Sequence, residues 1–236
     1  MAETRQKLTV EIWSDVVCPW CWIGQIRFQE ALDRFDHADQ VEVIHHSFRL
    51  MPGVPPRPVT EIMSAKMGIP ASQVPAALRQ VEDVAATVGL TYRLADTSTG
   101  DSLDAHLLIK FAIDAGKGDE MLSRLYRAYL SEQISVFDRD SLIELAAGIG
   151  LDADEARTAF TNRTYQGQVE GNQRALGALG GNGVPFFLIG GKFTVSGAQS
   201  PEVFVRALNQ GWEQLPKQPV VLGDGAVCGP DGCAIP

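Results

Sequence analysis

Cysteine and positive charge are both scarce in this 236-residue sequence. It contains four cysteines, and its 20 lysine and arginine residues face 29 aspartate and glutamate residues, for a formal net charge of −9. Four cysteines in two pairs are too few for the dense disulfide framework of a small secreted protein. The acidic balance disfavours nucleic acid and anionic membranes, because both reward basic patches. We therefore expect neither as a partner.

The N-terminal residues lack the marks of a targeting segment. Residues 1–7 lead directly into a predicted strand, with neither an apolar signal core nor an Arg- and Ser-rich transit helix. As written, the chain is expected to be cytoplasmic. Its composition, 45% hydrophobic and 21% charged, is ordinary for a globular protein, and its length suits one large domain or one domain with an insertion.

Two of the four cysteines lie where a predicted strand gives way to a helix. Residues 8–13 alternate apolar and polar side chains, and residues 23–35 repeat apolar side chains at helical spacing. Between them stands Cys18-Pro19-Trp20-Cys21. Pro19 suits the first helical position, because its φ angle is already helical and its missing N–H would be unpaired there anyway. The pair is therefore predicted at a helix N-terminus.

This placement predicts different roles for the two thiols. The unpaired N–H groups and the dipole of a helix N-terminus favour an anion, and Cys18 is the residue placed to use that field. Cys21 lies one turn deeper, close enough to form a disulfide with Cys18. Such Cys-x-x-Cys pairs are typically redox-active. We predict Cys18 as the nucleophile and Cys21 as the resolving thiol; half of a zinc site and an inert disulfide are the alternatives.

The middle of the chain predicts a helical insertion in a sheet protein. Residues 41–50 have the β-branched pattern of a second strand, parallel to the first through a right-handed crossover. A proline-rich stretch, residues 51–58, then leads into a long region whose signals are nearly all helical. The helices predicted there span residues 74–88, which Ser72 precedes, 103–115, 122–131, 141–148 and 154–161.

The last third of the chain predicts a return to the sheet. Residues 184–189 and 192–196 read as two strands joined by Gly190-Gly191, a signal for a tight hairpin turn. Pro185 stands at the start of its strand, where a missing N–H is tolerated. A final helix is predicted over residues 201–212, with Ser200 as its cap.

Together these features resemble the thioredoxin-like fold in its DsbA-type arrangement. The segments that carry the resemblance are Cys18-Pro-Trp-Cys21, Gly183-Val-Pro-Phe-Phe-Leu-Ile-Gly190, Ser196-Gly-Ala-Gln-Ser-Pro-Glu-Val203 and Asp104-Ala-His106-Leu. They look most like the FrnE-type branch of DsbA-family thiol:disulfide oxidoreductases. The resemblance implies an α/β thioredoxin-like fold with an inserted all-helical subdomain. The implied divisions are a thioredoxin-like domain at 7–57 and 167–214, the insertion at 58–166, and a tail at 215–236.

The resemblance also implies roles for individual residues. Cys18 attacks and Cys21 resolves, while Val184 and Pro185 form a cis-proline loop that faces them. That loop would present the backbone of Val184 to an extended substrate chain, in the manner of strand addition. No cofactor and no metal are expected. The further expected substrate-binding residues are Pro19, Trp20 and His106.

Trp20 departs from the best-known oxidising members, which carry histidine at this position. Histidine can stabilise the Cys18 thiolate by donating a hydrogen bond or as a nearby cation, whereas an indole offers one N–H. A less stabilised thiolate disfavours the reduced protein, which lowers its reduction potential. We therefore expect a reductase or isomerase. Separately, the protein is expected to be a monomer or a homodimer. It would act on substrate proteins with disulfides or thiols, with glutathione or another thiol as reductant.

The remaining cysteines, Cys228 and Cys233, flank a Gly-Pro-Asp-Gly turn that lets their sulfurs meet. Their spacing also resembles FrnE-type proteins, which implies a second redox-active pair. We expect this pair to exchange with Cys18 and Cys21 through a mixed disulfide. The alternatives are a disulfide that pins the terminus and two idle thiols.

Some interpretations stay open at this point. A glutathione-dependent isomerase or transferase of the kappa or 2-hydroxychromene-2-carboxylate isomerase type shares the fold but typically uses a lone Ser or Cys, which Cys21 argues against. A zinc- or redox-responsive holdase chaperone would use the four cysteines as metal ligands. Asp15 could accept a proton from Cys21, although a solvated carboxylate is the better expectation. His106 is either a core histidine or a residue of the active-site cleft.

Overall fold

The computed structural model describes residues 7–216, together with the backbone of residues 228–229 and 232–233. Its main sheet has four strands in the order β2-β1-β5-β6. The first two are parallel, with Leu8 opposite Val41, and the other pairs are antiparallel. The strands are β1 (Leu8–Ser14), β2 (Val41–Ser47), β5 (Phe186–Ile189) and β6 (Phe193–Ser196).

Helices cover both faces of this sheet. On one face lie α1 (Pro19–Asp33) and α9 (Pro201–Glu213), where Phe28 packs against Phe187 and Phe204 at centroid distances of 5.6 and 5.7 Å. On the other face α8 (Gln166–Ala178) packs against β2, and the indole N–H of Trp13 donates to the Asn172 carbonyl at 2.9 Å. These contacts fix β1, and with it the position of the turn that follows β1.

The insertion consists of helices around the largest core of the described residues. Leu108, Met121 and Leu125 are fully or almost fully buried in it, and the same core includes Cys18 and Cys21. The insertion therefore packs directly behind the cysteine pair. The elements between β2 and β5 are β3 (Arg57–Pro58), α2 (Val59–Met67), α3 (Val74–Ala86), β4 (Ser98–Thr99), α4 (Leu103–Asp114), α5 (Gly118–Leu130), α6 (Arg139–Gly148), α7 (Ala153–Asn162) and α8 (Gln166–Ala178).

The predicted fold class, an α/β thioredoxin-like fold with a helical insertion, is confirmed. Some element ends differ from the prediction. The second strand ends at Ser47 rather than at residue 50, because the amide of Leu50 turns to donate to the Asp15 carboxylate at 2.8 Å. Helix α5 begins at Gly118, four residues before its predicted start. The domain divisions at 57/58 and 166/167 stay predictions.

The hairpin turn follows the predicted glycine pair. Gly190 and Gly191 have φ angles of 58° and 67°, a left-handed conformation that favours glycine. The Lys192 amide donates to the Ile189 carbonyl at 3.2 Å, which closes the turn. Strand β6 therefore begins at Phe193, one residue after its predicted start.

The tail has one described feature, a pair of two-residue strands, β7 (Cys228–Gly229) and β8 (Gly232–Cys233). They pair antiparallel with Cys228 opposite Cys233. The rest of the predicted tail beyond Pro216, including both cysteine side chains, lies outside the described residues. Within the described part of the chain, no helix has both the length and the apolar character needed to cross a membrane.

Candidate active site

Cys18 is the residue immediately before α1. Its backbone is extended, with φ −92° and ψ 110°, and Pro19 is the first helical residue. The turn before it is closed by the Cys18 amide, which donates to the Asp15 carbonyl at 3.1 Å. No side chain caps this helix start. The partial positive charge of the first turn therefore acts directly on the Cys18 side chain.

The two thiols differ in their surroundings. Cys18 is 5% exposed, and its sulfur lies 3.7 Å from the Val184 carbonyl oxygen, which can accept its S–H. The Val184–Pro185 peptide bond that follows is cis. Cys21 is 2% exposed, and burial, reinforced by the neighbouring Cys18 sulfur, raises the pKa of its thiol well above the usual value. Cys21 therefore keeps its proton at neutral pH.

The carboxylate of Asp15 is fully buried, and it lies close enough to Cys21 that its charge helps to raise the pKa of that thiol. Its two oxygens accept from the amides of Leu50 at 2.8 Å and of Val17 at 3.3 Å. The expectation of a solvated carboxylate is therefore wrong, because two backbone amides replace the water. The Nε2 atom of His106 is 3.3 Å from Asp15 Oδ1.

Aromatic rings from the insertion hold the first turn of α1. Trp22 stacks on Tyr92 and on Tyr126, with both centroid distances 5.8 Å. The Tyr92 hydroxyl donates to the Pro19 carbonyl at 2.9 Å, and burial, aided by the nearby Cys18 and Cys21 sulfurs, raises the pKa of Tyr92. The sequence reasoning missed both tyrosines. Tyr126 lies on an apolar helix face that indicates burial, but no signal places Tyr92 beside the motif.

An apolar cavity of about 540 Å³ opens beside Cys18. Pro19 and Trp20 form part of its wall, and Trp20 is 39% exposed at this surface. Helices α2 and α3 form the opposite wall. Lys66 is the one charged side chain among the described residues that line the cavity. A space of this size and character suits an apolar group attached near a reacting sulfur.

The fold brings most of the predicted site residues together, but not all of them. Five of them lie next to Cys18: Cys21, Pro19 and Trp20 on the helix that follows it, and Val184 and Pro185 on the loop whose Val184 carbonyl is 3.7 Å from its sulfur. His106 is 2% exposed and does not line the cavity, which contradicts the expectation that it contacts substrate. The side chains of Cys228 and Cys233 are outside the described residues. Among residues 7–216, no cluster of three or more His, Cys, Asp or Glu side chains suits a metal ion.

Comparison with known proteins gives consistent matches. The profile of the DSBA-like thioredoxin domain matches residues 9–209. The crystal structure of a probable DsbA oxidoreductase from Streptomyces coelicolor is 41% identical, with a TM-score of 0.85 over 97% of this chain and 99% of that one. The protein YwbO of Bacillus subtilis (strain 168) is 29% identical over 204 residues, which are 85% of this chain and 95% of YwbO.

A more distant structure shares the fold alone. The cytosolic disulfide reductase DsbM from Pseudomonas aeruginosa, solved with GSH, is 21% identical, with a TM-score of 0.61 over 87% of this chain and 99% of DsbM.

Proposed function

Because the chain belongs to the family of DSBA-like thioredoxin domains, we propose that it is a thiol:disulfide oxidoreductase that uses Cys18 and Cys21 on protein substrates. The observation that carries the proposal is the asymmetry of the two thiols. Cys18 stands at an uncapped helix N-terminus facing the Val184 carbonyl, and Cys21 is buried and protonated behind it. A nucleophile in the wall of an open cavity, with a protonated resolving thiol behind it, suits two-step disulfide exchange.

The reaction proceeds in two balanced steps. The Cys18 thiolate attacks a substrate disulfide, so that a mixed disulfide forms and the other substrate sulfur leaves as a thiolate that takes up a proton. Cys21 then loses its proton and attacks the Cys18 sulfur. The Cys18–Cys21 disulfide forms, the second substrate sulfur leaves as a thiolate, and the substrate is reduced by two electrons. Two molecules of an external thiol such as glutathione then restore the dithiol and leave as their own disulfide.

Two surfaces support a peptide substrate. The backbone of Val184 stands beside the nucleophile, where an extended chain can pair with it. The apolar cavity next to Cys18 accepts a large apolar side chain close to the reacting cysteine, and the exposed ring of Trp20 extends its wall. Val184, Pro19 and Trp20 are thus the proposed substrate-binding residues, and Pro185 holds the loop.

The proposed direction is reduction or isomerisation in the cytoplasm. Trp20 provides no charged partner for the Cys18 thiolate, so the reduced form is less favoured than in members with histidine at that position. The fold is shared with DsbM, a cytosolic disulfide reductase solved with GSH. Equilibration with glutathione tests the direction. We expect a potential more negative than about −180 mV, the value typical of protein disulfide isomerase, whereas about −120 mV would indicate an oxidant.

Three proteins test the activity itself: the unmodified chain, Cys18→Ser and Cys21→Ser. We expect the unmodified chain to accelerate the reduction of insulin by dithiothreitol, and Cys18→Ser to be inactive. Cys21→Ser should accumulate a mixed disulfide with substrate, visible by mass spectrometry, because resolution is blocked. If Cys21→Ser turned over normally, a lone-thiol glutathione-dependent enzyme would replace the proposal.

The tail pair is proposed to exchange with the active site. Its short hairpin places Cys228 opposite Cys233, a register in which the two Cα atoms of antiparallel partners lie about 4.5–5.5 Å apart. Replacing both with serine should lower steady-state turnover while the isolated reaction of Cys18 with a small disulfide is unchanged. Equal turnover of the two proteins would show that the tail cysteines take no part.

A further inference from the structure

Buried polar groups continue beyond the cysteine pair into the helical insertion. Asp15 is fully buried and His106, from α4, is 2% exposed, with their Oδ1 and Nε2 atoms 3.3 Å apart. Neither ring nitrogen of His106 has a hydrogen-bond partner of good geometry among the described residues. A buried imidazole with both nitrogens unpaired is costly unless water or a shared proton satisfies it.

A small cavity lies on the other side of His106. It measures about 10 Å³, close to the minimum that holds one water molecule. Its polar lining comes from His106, Ser14, Ser47, His45 and His46. One water in this space would have several polar partners. The small cavity therefore connects His106 with the edge strand β2.

A second, larger cavity of about 610 Å³ begins at the same two histidines and extends between β2 and helices α4, α5 and α8. His45 lines both cavities, its Nδ1 is buried without a partner among the described residues, and its Nε2 lies 3.4 Å from the exposed carboxylate of Asp119. His46 is instead engaged with Glu11 at 2.7 Å. His45 is therefore the last group in the series that runs from Asp15 through His106 and the small cavity.

We propose that Asp15, His106, one water and His45 form a proton route from Cys21 to the solvent that enters the larger cavity beside the edge strand β2. The inference rests on the proposed function, because it concerns the resolving step. Once substrate is attached to Cys18, it covers the cavity side of the pair, and the buried Cys21 thiol must still lose its proton. The proton passes to the Asp15 carboxylate and then through His106 and the water to His45. In the reverse reaction Cys21 regains it along the same path.

His106 acts on the reaction only through its contact with Asp15. It is therefore a positioning residue and not a catalytic one. The groups that surround it are neutral or compensated. Burial lowers the pKa of His45 and of His46, so both imidazoles are neutral at neutral pH and can accept and donate. From α5, Tyr126 and Tyr129 face the Asp15 side, and burial raises the pKa of both. The other nearby charged or titratable groups are Cys18 and Cys21 on α1, Glu11 on β1, Asp119 on α5 and Lys110 on α4.

Single-turnover oxidation by excess dithiobis(nitrobenzoate) separates the two steps. Attack by Cys18 releases one coloured thiolate at a rate proportional to reagent concentration. Attack by Cys21 on the resulting mixed disulfide releases a second at a rate independent of that concentration. The parent protein for this test is the full chain with Cys228→Ser and Cys233→Ser. Cys18 and Cys21 are then its only thiols, and the histidine variants are made in it. A parent without the second phase would overturn the proposed function itself.

The decisive variant is His106→Gln in this parent. We expect the second phase to slow by about tenfold or more at pH 7, since positioned proton transfer contributes about 10²–10⁴ in rate. The difference should shrink at alkaline pH, where hydroxide removes the Cys21 proton directly. The first phase should be unchanged. A merely structural role for His106 would slow both phases at every pH, and that result would overturn the route.

Two further histidine variants complete the test. His45→Phe removes the imidazole at the open end without touching Asp15, and it should slow the second phase in the same pH-dependent way. It also decides the question if His106→Gln does not fold. His37→Gln is the matched control, because His37 stacks on Trp212 away from the route, and it should change neither phase. A parent with both phases and a second phase unchanged in His45→Phe would overturn the inference while leaving the proposed function intact.

Discussion

Gly24 faces Pro185 so closely that a Cβ atom on the glycine would lie 3.0 Å from the proline Cγ. The second turn of α1 thus packs directly on the loop that faces Cys18. The same Cβ atom would lie 3.4 Å from both the Cα and the Cβ atom of Ala198. Two separate segments therefore leave no room for a side chain at this position. The spacing between the nucleophile helix and the Val184–Pro185 loop depends on this missing side chain.

Gly24→Ala should therefore destabilise the protein and slow the reaction at Cys18. Alanine normally improves a helix by about 1 kcal/mol over glycine. Here that gain is opposed by overpacking, which typically costs about 1–3 kcal/mol. We expect a lower free energy of unfolding in urea and a several-fold slower reaction of Cys18 with small disulfides, because the loop shifts away from the sulfur.

Gly171→Ala is the matched control for this substitution. Gly171 lies in the interior of α8, and a Cβ there would meet only the end of the Arg174 side chain at 3.9 Å. The free energy of unfolding should rise by about 0.5–1 kcal/mol with activity unchanged. Equal stabilisation by the two substitutions would contradict the close packing at Gly24.

The apolar cavity beside Cys18 predicts a size-dependent substrate preference. Ala77 of α3 lines it, so Ala77→Trp should fill part of the 540 Å³. We expect kcat/KM to fall about tenfold for a disulfide peptide with a large apolar residue next to its cysteine, the effect of about 1.4 kcal/mol of lost apolar burial. Oxidised glutathione, which has no such group, should react at the same rate.

Ala76→Trp controls for the added indole, because Ala76 is exposed on the same helix and does not line the cavity. It should leave both substrates unaffected. A peptide whose rate is insensitive to Ala77→Trp would show that apolar side chains do not enter this space.

Local rules were enough to predict the nucleophile end of the site. Pro19 and the strand-to-helix change place Cys18 at a helix start from the residues alone, because capping preferences depend on a few neighbours. The turn at Gly190-Gly191 was predictable for the same reason, since its positive φ angles favour glycine. The resemblance to a known family then supplied the pairing of Val184 with Cys18.

The groups behind Cys21 were not predictable in this way. Asp15 looks like a solvated residue in the sequence, and its burial depends on an amide at Leu50, 35 residues away. Tyr92 stacks on Trp22 from 70 positions further along the chain. Neither contact leaves a periodic signal, because each one depends on how the insertion packs against the sheet rather than on local conformation.

The buried phenols predict a loss of stability at alkaline pH. Burial raises the pKa of Tyr129 to about 12, above its ordinary value near 10. The unfolded chain therefore loses this proton first, and stabilisation that is complete below about pH 10 is lost as the pH rises toward 12. Urea unfolding at pH 8 and pH 11 should show this fall.

Tyr129→Phe isolates the contribution of that phenol. With Cys18→Ser and Cys21→Ser in both proteins to remove thiol ionisation at the active site, the phenylalanine variant should lose less stability between pH 8 and pH 11. Tyr165 also has its pKa raised to about 12, by burial and by Asp114, so a slope should remain. Identical slopes with and without the Tyr129 hydroxyl would show that this phenol ionises normally in the folded protein.

Asp101 ties the loop after β2 to the start of α4, and its loss should be costly. Its two oxygens accept from Arg49 at 3.1 and 3.0 Å, and the amides of Gly53 and Leu103 donate to them at 2.7 and 3.1 Å. Asp101→Ala leaves the largely buried guanidinium of Arg49 without its carboxylate. We expect the free energy of unfolding to fall by about 2–4 kcal/mol. The resolving step should also slow, because Leu50 in this loop donates to Asp15.

The exposed ion pair of Asp140 with Arg157 serves as the control for Asp101→Ala. The two side chains are 3.3 Å apart but mostly in solvent, so Asp140→Ala should change the free energy of unfolding by less than about 1 kcal/mol. Asp101→Asn keeps one acceptor oxygen and should fall between the two. If all three variants unfolded at the same urea concentration, Asp101 would contribute no more to stability than the exposed Asp140. Other contacts would then have to hold the Leu50 amide against Asp15.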